Sequence, residues 1–312
     1  VDLLALRYFQ TVARLEHVGR AAEKLRVAQP SLSRTLARLE ADLGVPLFDR
    51  HGRRIRLNRF GAAFLRRVDR VLAELDDARQ ELDDAAGLER GVVTVAAESL
   101  LAITEPLRGF VPDHPLVDVR LSQASATGMV EKLLSGDVDL CVTSQPLPGN
   151  DIRSRVLLDE RVMLCVPSGH RLAGKGRVEL ADLEGEPFLT TRPGYWQRSL
   201  ADHLFAKAGL DLHIVCEGDE AGALFQLIDS GLGIAFVPSL GQRADIGMSV
   251  VWLEVDDPEC RRVLSVAWRE DTYLSAAAQR FRDHIVEHFR TYAEAGPRSR
   301  RPGPGFGGTT TG

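Results

Sequence analysis

The 312-residue sequence predicts an α/β fold class in which the α/β body follows a small, mostly helical N-terminal unit. Three observations carry that reading. Leu32, Leu36, Leu39 and Leu43 recur at four, three and four residues, the spacing of one buried helix stripe. A single long amphipathic stretch follows over residues 61–84. Beyond residue 90, short apolar runs alternate with helical patterns, which is how sheets covered by helices are written. At 44% hydrophobic and 27% charged residues, the chain has room for two or three packed units.

In chain order, Leu3, Leu6, Phe9, Val12 and Ala13 mark a first amphipathic helix. Ala21, Ala22 and Leu25 make a short second one, and Arg26-Val27-Ala28 has the length of the turn in a helix-turn-helix. Pro30 falls in the first turn of the third helix, where its missing N–H costs nothing. Opposite the leucines, Ser33, Arg34, Ala37 and Arg38 form a small, polar, cationic face that suits the major groove of DNA. Gly44 and Pro46 end this helix. Leu47-Phe48 and residues 55–57 read as strands around a His51-Gly52 turn, a hairpin carrying Arg50, Arg53, Arg54 and Arg56. Such a wing holds phosphates, although four arginines also suit a merely solvated hairpin. The unit is therefore a winged helix-turn-helix.

Asn58 can cap the long helix over 61–84. Its apolar positions Leu65, Val68, Leu72, Leu75 and Leu82, broken only at Arg79, make a short coiled-coil seam. Either a second copy of the chain or the wing domain itself would cover that seam. Farther on, strands are expected at 92–97, 117–121, 138–143, 162–166, 213–216, 234–237, 250–255 and 263–268. Helices are expected at 100–110, 127–135, 196–208, 221–230 and 276–289. Their alternation implies parallel, twisted sheets. Ligands of such sheets bind beyond the carboxyl ends of strands, where helix N-termini offer free N–H groups. Ser99, Ser125 with Thr127, and Thr190-Thr191-Arg192 occupy such places and would suit a small anion such as a carboxylate. Each hydroxyl equally serves as an ordinary helix cap.

The net charge of −5 hides an asymmetry. Residues 1–60 hold 12 Lys and Arg against 6 Asp and Glu, whereas residues 87–312 hold 23 against 31. A basic module on an acidic body points to a polyanion as partner of the module alone. No apolar run approaches the roughly 20 residues that span a bilayer, and no signal-peptide core opens the chain, so a cytoplasmic protein away from membranes is expected. Cys141, Cys165, Cys216 and Cys260 are widely spaced and read as buried free thiols. His284 and His288 are four apart on a helix but lack a third ligand, so no metal and no cofactor are expected. No nucleophile elbow, P-loop, HExxH or GxGxxG motif is present, which argues against an enzyme. The Gly/Pro-rich segment 296–312 is expected to be a disordered tail.

Ala21-Ala22, Leu25, Gln29-Pro30-Ser31-Leu32-Ser33-Arg34, Leu39-Glu40, Leu43-Gly44-Val45-Pro46-Leu47-Phe48 and Arg50 closely resemble the N-terminal signature of LysR-type transcriptional regulators. Two departures stand out: Ala28 replaces a Ser that often caps the recognition helix, and His17-Val18-Gly19 replaces Ser-Phe-Thr. Gly231 to Pro238 resembles the family's cleft-floor segment, adding Gly231 to the candidate effector residues Ser99, Ser125, Thr127, Thr191 and Arg192. The resemblance implies a winged helix-turn-helix DNA-binding domain over 1–60 and a linker and dimerisation helix over 61–86. It further implies a two-lobed, periplasmic-binding-protein-like effector domain over 87–295, with lobe I at 91–160 and 265–295 and lobe II at 161–264. It implies double-stranded operator DNA contacted by Gln29, Ser31, Ser33, Arg34, Arg38, Arg50, Arg53 and Arg54. A small-molecule effector, a homodimer or homotetramer, and indirect action on RNA polymerase complete the expectation. A solute-binding protein, or a metabolic enzyme with an accessory DNA-binding domain, would share the α/β body. The first needs export and the second a catalytic motif.

Overall fold

The computed structural model describes residues 1–51, 54–85, 91–220, 222–243 and 249–294. Helix α1 (Leu3–Leu15) is capped by Asp2, whose carboxylate accepts from the Ala5 N–H at 2.7 Å. Helix α2 (Val18–Leu25) is capped by the His17 ring nitrogen, which accepts from the Arg20 N–H. Helix α3 (Gln29–Leu43) packs Leu32, Leu36 and Leu39 against Phe9, Val12, Ala21 and Ala22, with Leu43 half-buried at the edge of the same core. Three interlocked helices thus hide one leucine stripe and leave the other face of α3 in solvent. Strands β1 (Phe48–His51) and β2 (Arg54–Leu57) pair antiparallel, Phe48 opposite Leu57.

Asn58 turns the chain from the wing into helix α4 (Arg59–Ala85). Its side-chain oxygen accepts from the N–H groups of Phe60 and Gly61, both at 2.9 Å, and its amide donates to the Pro46 carbonyl. Gly61 is required here, because a Cβ would stand 2.1 Å from the Leu47 carbonyl oxygen. The 27 residues of α4 make a rod of about 40 Å. Its seam is not continuous, as the spacing alone had implied. Phe64, Leu65, Val68 and Leu72 enter the N-terminal core, whereas Val71, Leu75 and Leu82 remain exposed.

Strands β3 (Gly91–Ala97), β4 (Val117–Gln123) and β5 (Leu140–Thr143) are parallel, with β3 in the middle. Helices α5 (Leu101–Asp113) and α6 (Ala126–Ser135) connect them. Strand β6 (Ile152–Pro167) then runs for 16 residues, where hydropathy predicted a strand only at 162–166. Arg153, Ser154, Arg155 and Val156 are exposed, so no apolar pattern announced where the strand begins. Strands β7 (Arg177–Val178), β8 (Phe188–Thr191), β9 (Ile214–Gly218), β10 (Ala235–Pro238), β11 (Val250–Val255) and β12 (Arg261–Arg269) follow. They alternate with α7 (Trp196–Ala208), α8 (Ala223–Asp229) and the closing α9 (Ala276–Glu294).

The main sheet runs β4-β3-β5-β12-β6-β11-β7, with β10 also on β6, and it is mixed rather than parallel. Strand β12 is antiparallel to β5 and β6, and β10 and β11 are antiparallel to β6, while β8 and β9 form a separate parallel pair. Two cores lie along β6. One gathers Val95, Phe110, Leu140, Val266, Phe281 and Phe289; the other gathers Leu164, Phe188, Leu204, Phe205, Phe236 and Leu253. Helix α9 packs on the first, so the chain ends on the body in which the sheet began. Between the cores, Glu160 of β6 and Arg262 of β12 form an ion pair with side chains only 4% and 3% exposed. Glu160 also accepts from the Ser239 hydroxyl at 2.8 Å and the Leu240 N–H at 2.6 Å.

Helix α4 lies against this body. Gly136, at the end of α6, sits where a Cβ would come within 2.5 Å of Ala73 Cβ. The Asp84 carboxylate accepts from the Tyr273 hydroxyl at 2.7 Å and the Ala276 N–H at 2.8 Å. Arg14 reaches Asp137 at 2.8 Å. In the same contact, burial together with Glu74, Asp139 and Asp76 pushes the Asp77 carboxyl up to about 6, against the pull of Arg269. A carboxyl raised in the folded state adds stability below its ordinary range, and that stability is lost as pH rises through about 6. Asp77→Asn should therefore show a melting-temperature advantage over the parent that grows between about pH 5 and about pH 7. Thermal melts across that range check it; a pH-independent difference would place Asp77 in solvent.

Candidate nucleic-acid interface and interlobe cleft

The surface face of α3 carries the groups expected of a groove-reading helix. Gln29, Ser31, Arg34 and Arg38 are exposed and Ser33 is half-buried. Arg34 lies along its own helix, its Nε donating to the Pro30 carbonyl at 3.4 Å. Arg38 instead pairs with Asp2 at 3.2 Å, tying α3 to the cap of α1. On the buried side, the Glu40 carboxylate accepts from the N–H groups of Leu47 and Phe48, at 2.7 and 3.3 Å. The wing is thereby held in fixed register to α3. Phe9 packs on Phe48 and Phe64, with ring centroids 5.5 and 5.2 Å apart, so α1, the wing and α4 share one aromatic joint. Arg53 lies outside the described residues, as do the side chains of Arg50 and Arg54. The first turn of α3 has no side-chain cap at Ala28, although the backbone there is extended as a cap requires.

The two parts of the α/β body meet across a cleft at the carboxyl ends of β3, β5 and β8. Its centre is Glu98, only 3% exposed, which follows β3. One carboxylate oxygen accepts from the Ser144 N–H at 2.6 Å. The other accepts from the Gln145 amide at 2.6 Å and from the Trp196 N–H at 3.2 Å, at the start of α7. Burial pushes this carboxyl above its ordinary range, against those hydrogen bonds and Arg262. Around it, further bonds span the cleft directly. The Ala126 N–H and the Gln145 amide both donate to the Gly194 carbonyl, and the Gln123 amide donates to the Asp219 carbonyl.

Ser125 caps α6, accepting from the Gly128 N–H at 3.4 Å, and faces Gly194 across the cleft. Thr127 is exposed on the first turn of α6. Thr190 and Thr191 are buried, and neither hydroxyl has a partner. Arg192 is 60% exposed and pairs with Asp219 at 3.3 Å. Ser99 caps nothing, since α5 has no side-chain cap; it lines a pocket with Ala102, Trp196, Gln197, Phe225 and Val237. That pocket has a volume of roughly 50 Å³ and opens to solvent at its mouth. Gly231 stands apart from these groups, exposed at the end of α8 with φ +80°. The close approach expected of that glycine segment belongs to Gly233, where a Cβ would meet the Pro187 carbonyl oxygen at 2.4 Å. Glu98, Gln145 and Gln197 had no motif to announce them. Only an acid closing the apolar run Val92 to Ala97 hinted at the first.

Burial pushes the thiols of Cys141, Cys165 and Cys260 up to about 12, leaving them protonated and unreactive. His284 donates from Nε2 to the Pro106 carbonyl at 2.9 Å. Among the described residues, no group of three or more His, Cys, Asp or Glu could hold a metal ion. No described helix is long and apolar enough to cross a membrane.

Residues 3–62 match the family of bacterial regulatory helix-turn-helix proteins of the lysR type, and residues 86–290 match the LysR substrate binding domain. The chain is 37% identical over 287 residues to the uncharacterized HTH-type transcriptional regulator YybE of Bacillus subtilis (strain 168), covering 91% of this chain and 98% of that protein. It is 30% identical over 294 residues to the transcriptional dual regulator GltC of the same organism, covering 93% and 98%. Among solved structures, full-length CbnR complexed with its target DNA superposes with a TM-score of 0.66 at 25% identity, over 93% of this chain and 99% of that one.

Restoring the missing cap with Ala28→Ser should stabilise the N-terminal unit by about 1 kcal/mol. Urea denaturation of the full chain reads the shift, and an unchanged midpoint would mean that another group serves the first turn of α3.

Proposed function

From the premise that the chain belongs to the LysR family of transcriptional regulators, we propose how its residues divide the work of reading an operator and sensing an effector. It is a regulator and not an enzyme, as its family and relatives are. The observation that carries the reading is the cationic face of α3, held in solvent by the buried underside of Leu32, Leu36 and Leu39. Gln29, Ser33 and Arg34 read base edges, with Arg34 free to leave its 3.4 Å contact for a bidentate bond to guanine. Ser31 and Arg38 contact the backbone beside them, Arg38 exchanging Asp2 for a phosphate. Arg50, Arg53 and Arg54 hold phosphates from the wing.

In this reading the chain divides into a DNA-binding domain over 1–60, a linker helix over 61–86 and an effector domain over 87–295. Val71, Leu75 and Leu82, exposed on α4, meet their equivalents in a second copy, and dimers of such dimers give a tetramer. A small molecule enters the cleft bounded by Ser99, Ser125, Thr127, Thr191 and Arg192 and changes how the two lobes close. Altered closure changes the angle between DNA-binding domains, hence DNA bending and polymerase access. Such work on chromosomal DNA belongs in the cytoplasm.

Gel mobility of the upstream intergenic DNA, with and without metabolites, tests the whole reading; no salt-sensitive binding to any promoter fragment would end it. Arg34→Ala should cost about 1–3 kcal/mol at the operator, and equal loss on random DNA would remove Arg34 from base readout. Arg53→Ala should weaken all DNA alike and flatten the salt dependence, which a selective operator loss would contradict. Thr127→Val and Arg192→Ala should blunt the ligand response with operator binding intact. Unchanged ligand affinity in both would move the site elsewhere.

A further inference from the structure

We propose that the pocket between the lobes takes a small, mainly apolar molecule through a hydrogen-bond donor, an alcohol or an amine, and turns carboxylates away. This deepens the reading of the cleft as an effector site and rests on it. Four observations combine. The N–H at the start of α7, where an incoming anion would settle, already faces the Glu98 carboxylate at 3.2 Å. Arg262, the cation in the pocket wall, gives Nε and Nη2 to Glu160 and is almost wholly buried with it. Arg192 stands at the rim of the cleft and does not line this pocket; it is exposed and paired with Asp219. Beside the Ser99 hydroxyl, which can donate or accept, the unspent buried group of the pocket is an acceptor. Gln197, 3% exposed, donates its amide to the Phe236 carbonyl, which leaves its side-chain oxygen buried without a partner.

The orientation of that amide is not free to reverse, because the Phe236 carbonyl can only accept and must face the nitrogen. A ligand hydroxyl or ammonium would satisfy the oxygen, whereas a carboxylate would set acceptor against acceptor beside a buried anion. Leu101, Ala102, Phe225, Val237 and Leu240 supply apolar walls for the rest of the molecule. An ammonium gains further from Glu98, the residue next to Ser99 in the pocket wall.

Benzyl alcohol, benzylamine and benzoate share one apolar body and differ only in the group presented, so calorimetric titration of the full chain with each tests the proposal. The alcohol and amine should bind saturably, and benzoate at least about tenfold more weakly. Gln197→Met, which keeps the volume and removes both the acceptor and the donor to Phe236, should weaken the alcohol by about fivefold or more, with a melting curve separating that loss from the cost of stranding the Phe236 carbonyl. Glu98→Gln should narrow the gap between benzoate and benzylamine. Benzoate binding as tightly as the others, no saturable heat from the alcohol and amine, or a ranking unmoved by both variants would each overturn the proposal. Promoter binding measured on the same samples separates the two failures: inverted ligand preference with intact DNA binding refutes the ligand class alone.

Discussion

Everything in the α/β body turns on the antiparallel pairing of two long strands, β6 and β12, at the buried Glu160–Arg262 pair. A buried charge is tolerable only when paired and fully hydrogen-bonded. Here both oxygens of Glu160 are engaged, one by the guanidinium and the other by Ser239 and Leu240. Removing either partner would strand an ion in the interior, a loss of several kcal/mol on the order of 3–5. The pair therefore specifies where the two cores along β6 may meet. The cleft, with Glu98 at its centre and Trp196 on its far side, is positioned by that joint.

The N-terminal unit was legible almost residue by residue, because its information is local. A leucine stripe, a Pro in the first helical turn, a glycine exit and an Asn cap each act within one or two turns, and each sits where the spacing put it. Even the absent cap at Ala28 was readable. The body was legible as a succession of elements but not as a sheet. The start of β6, from Arg153 to Val156, lies in solvent, so hydropathy was silent there. Strand β8 is four fully buried residues and reads as an apolar turn. Direction of pairing depends on contacts between residues a hundred apart, such as Arg262 with Glu160, and no local pattern encodes it.

The same limit governs the cleft. Short-range logic located Ser125 as a cap, which follows from a helix boundary, and placed Thr191 only after an apolar turn, where the structure has the end of β8. It could not find Glu98, Gln145 and Gln197, whose roles arise only when β3, β5 and α7 converge. For α4 the seam was visible, yet only packing distinguishes residues 65, 68 and 72, which are spent inside the chain, from 71, 75 and 82, which are not.

Helix α6 has one end in the cleft, where Ser125 and Ala126 meet Gly194, and the other end at Gly136, pressed on Ala73 of α4. Ten helical residues make a stiff strut of about 15 Å. A strut seated at both ends transmits thrust. Anything that wedges Gly194 away from Ser125 is felt, without an intervening loop, at the middle of the shaft that carries the wing.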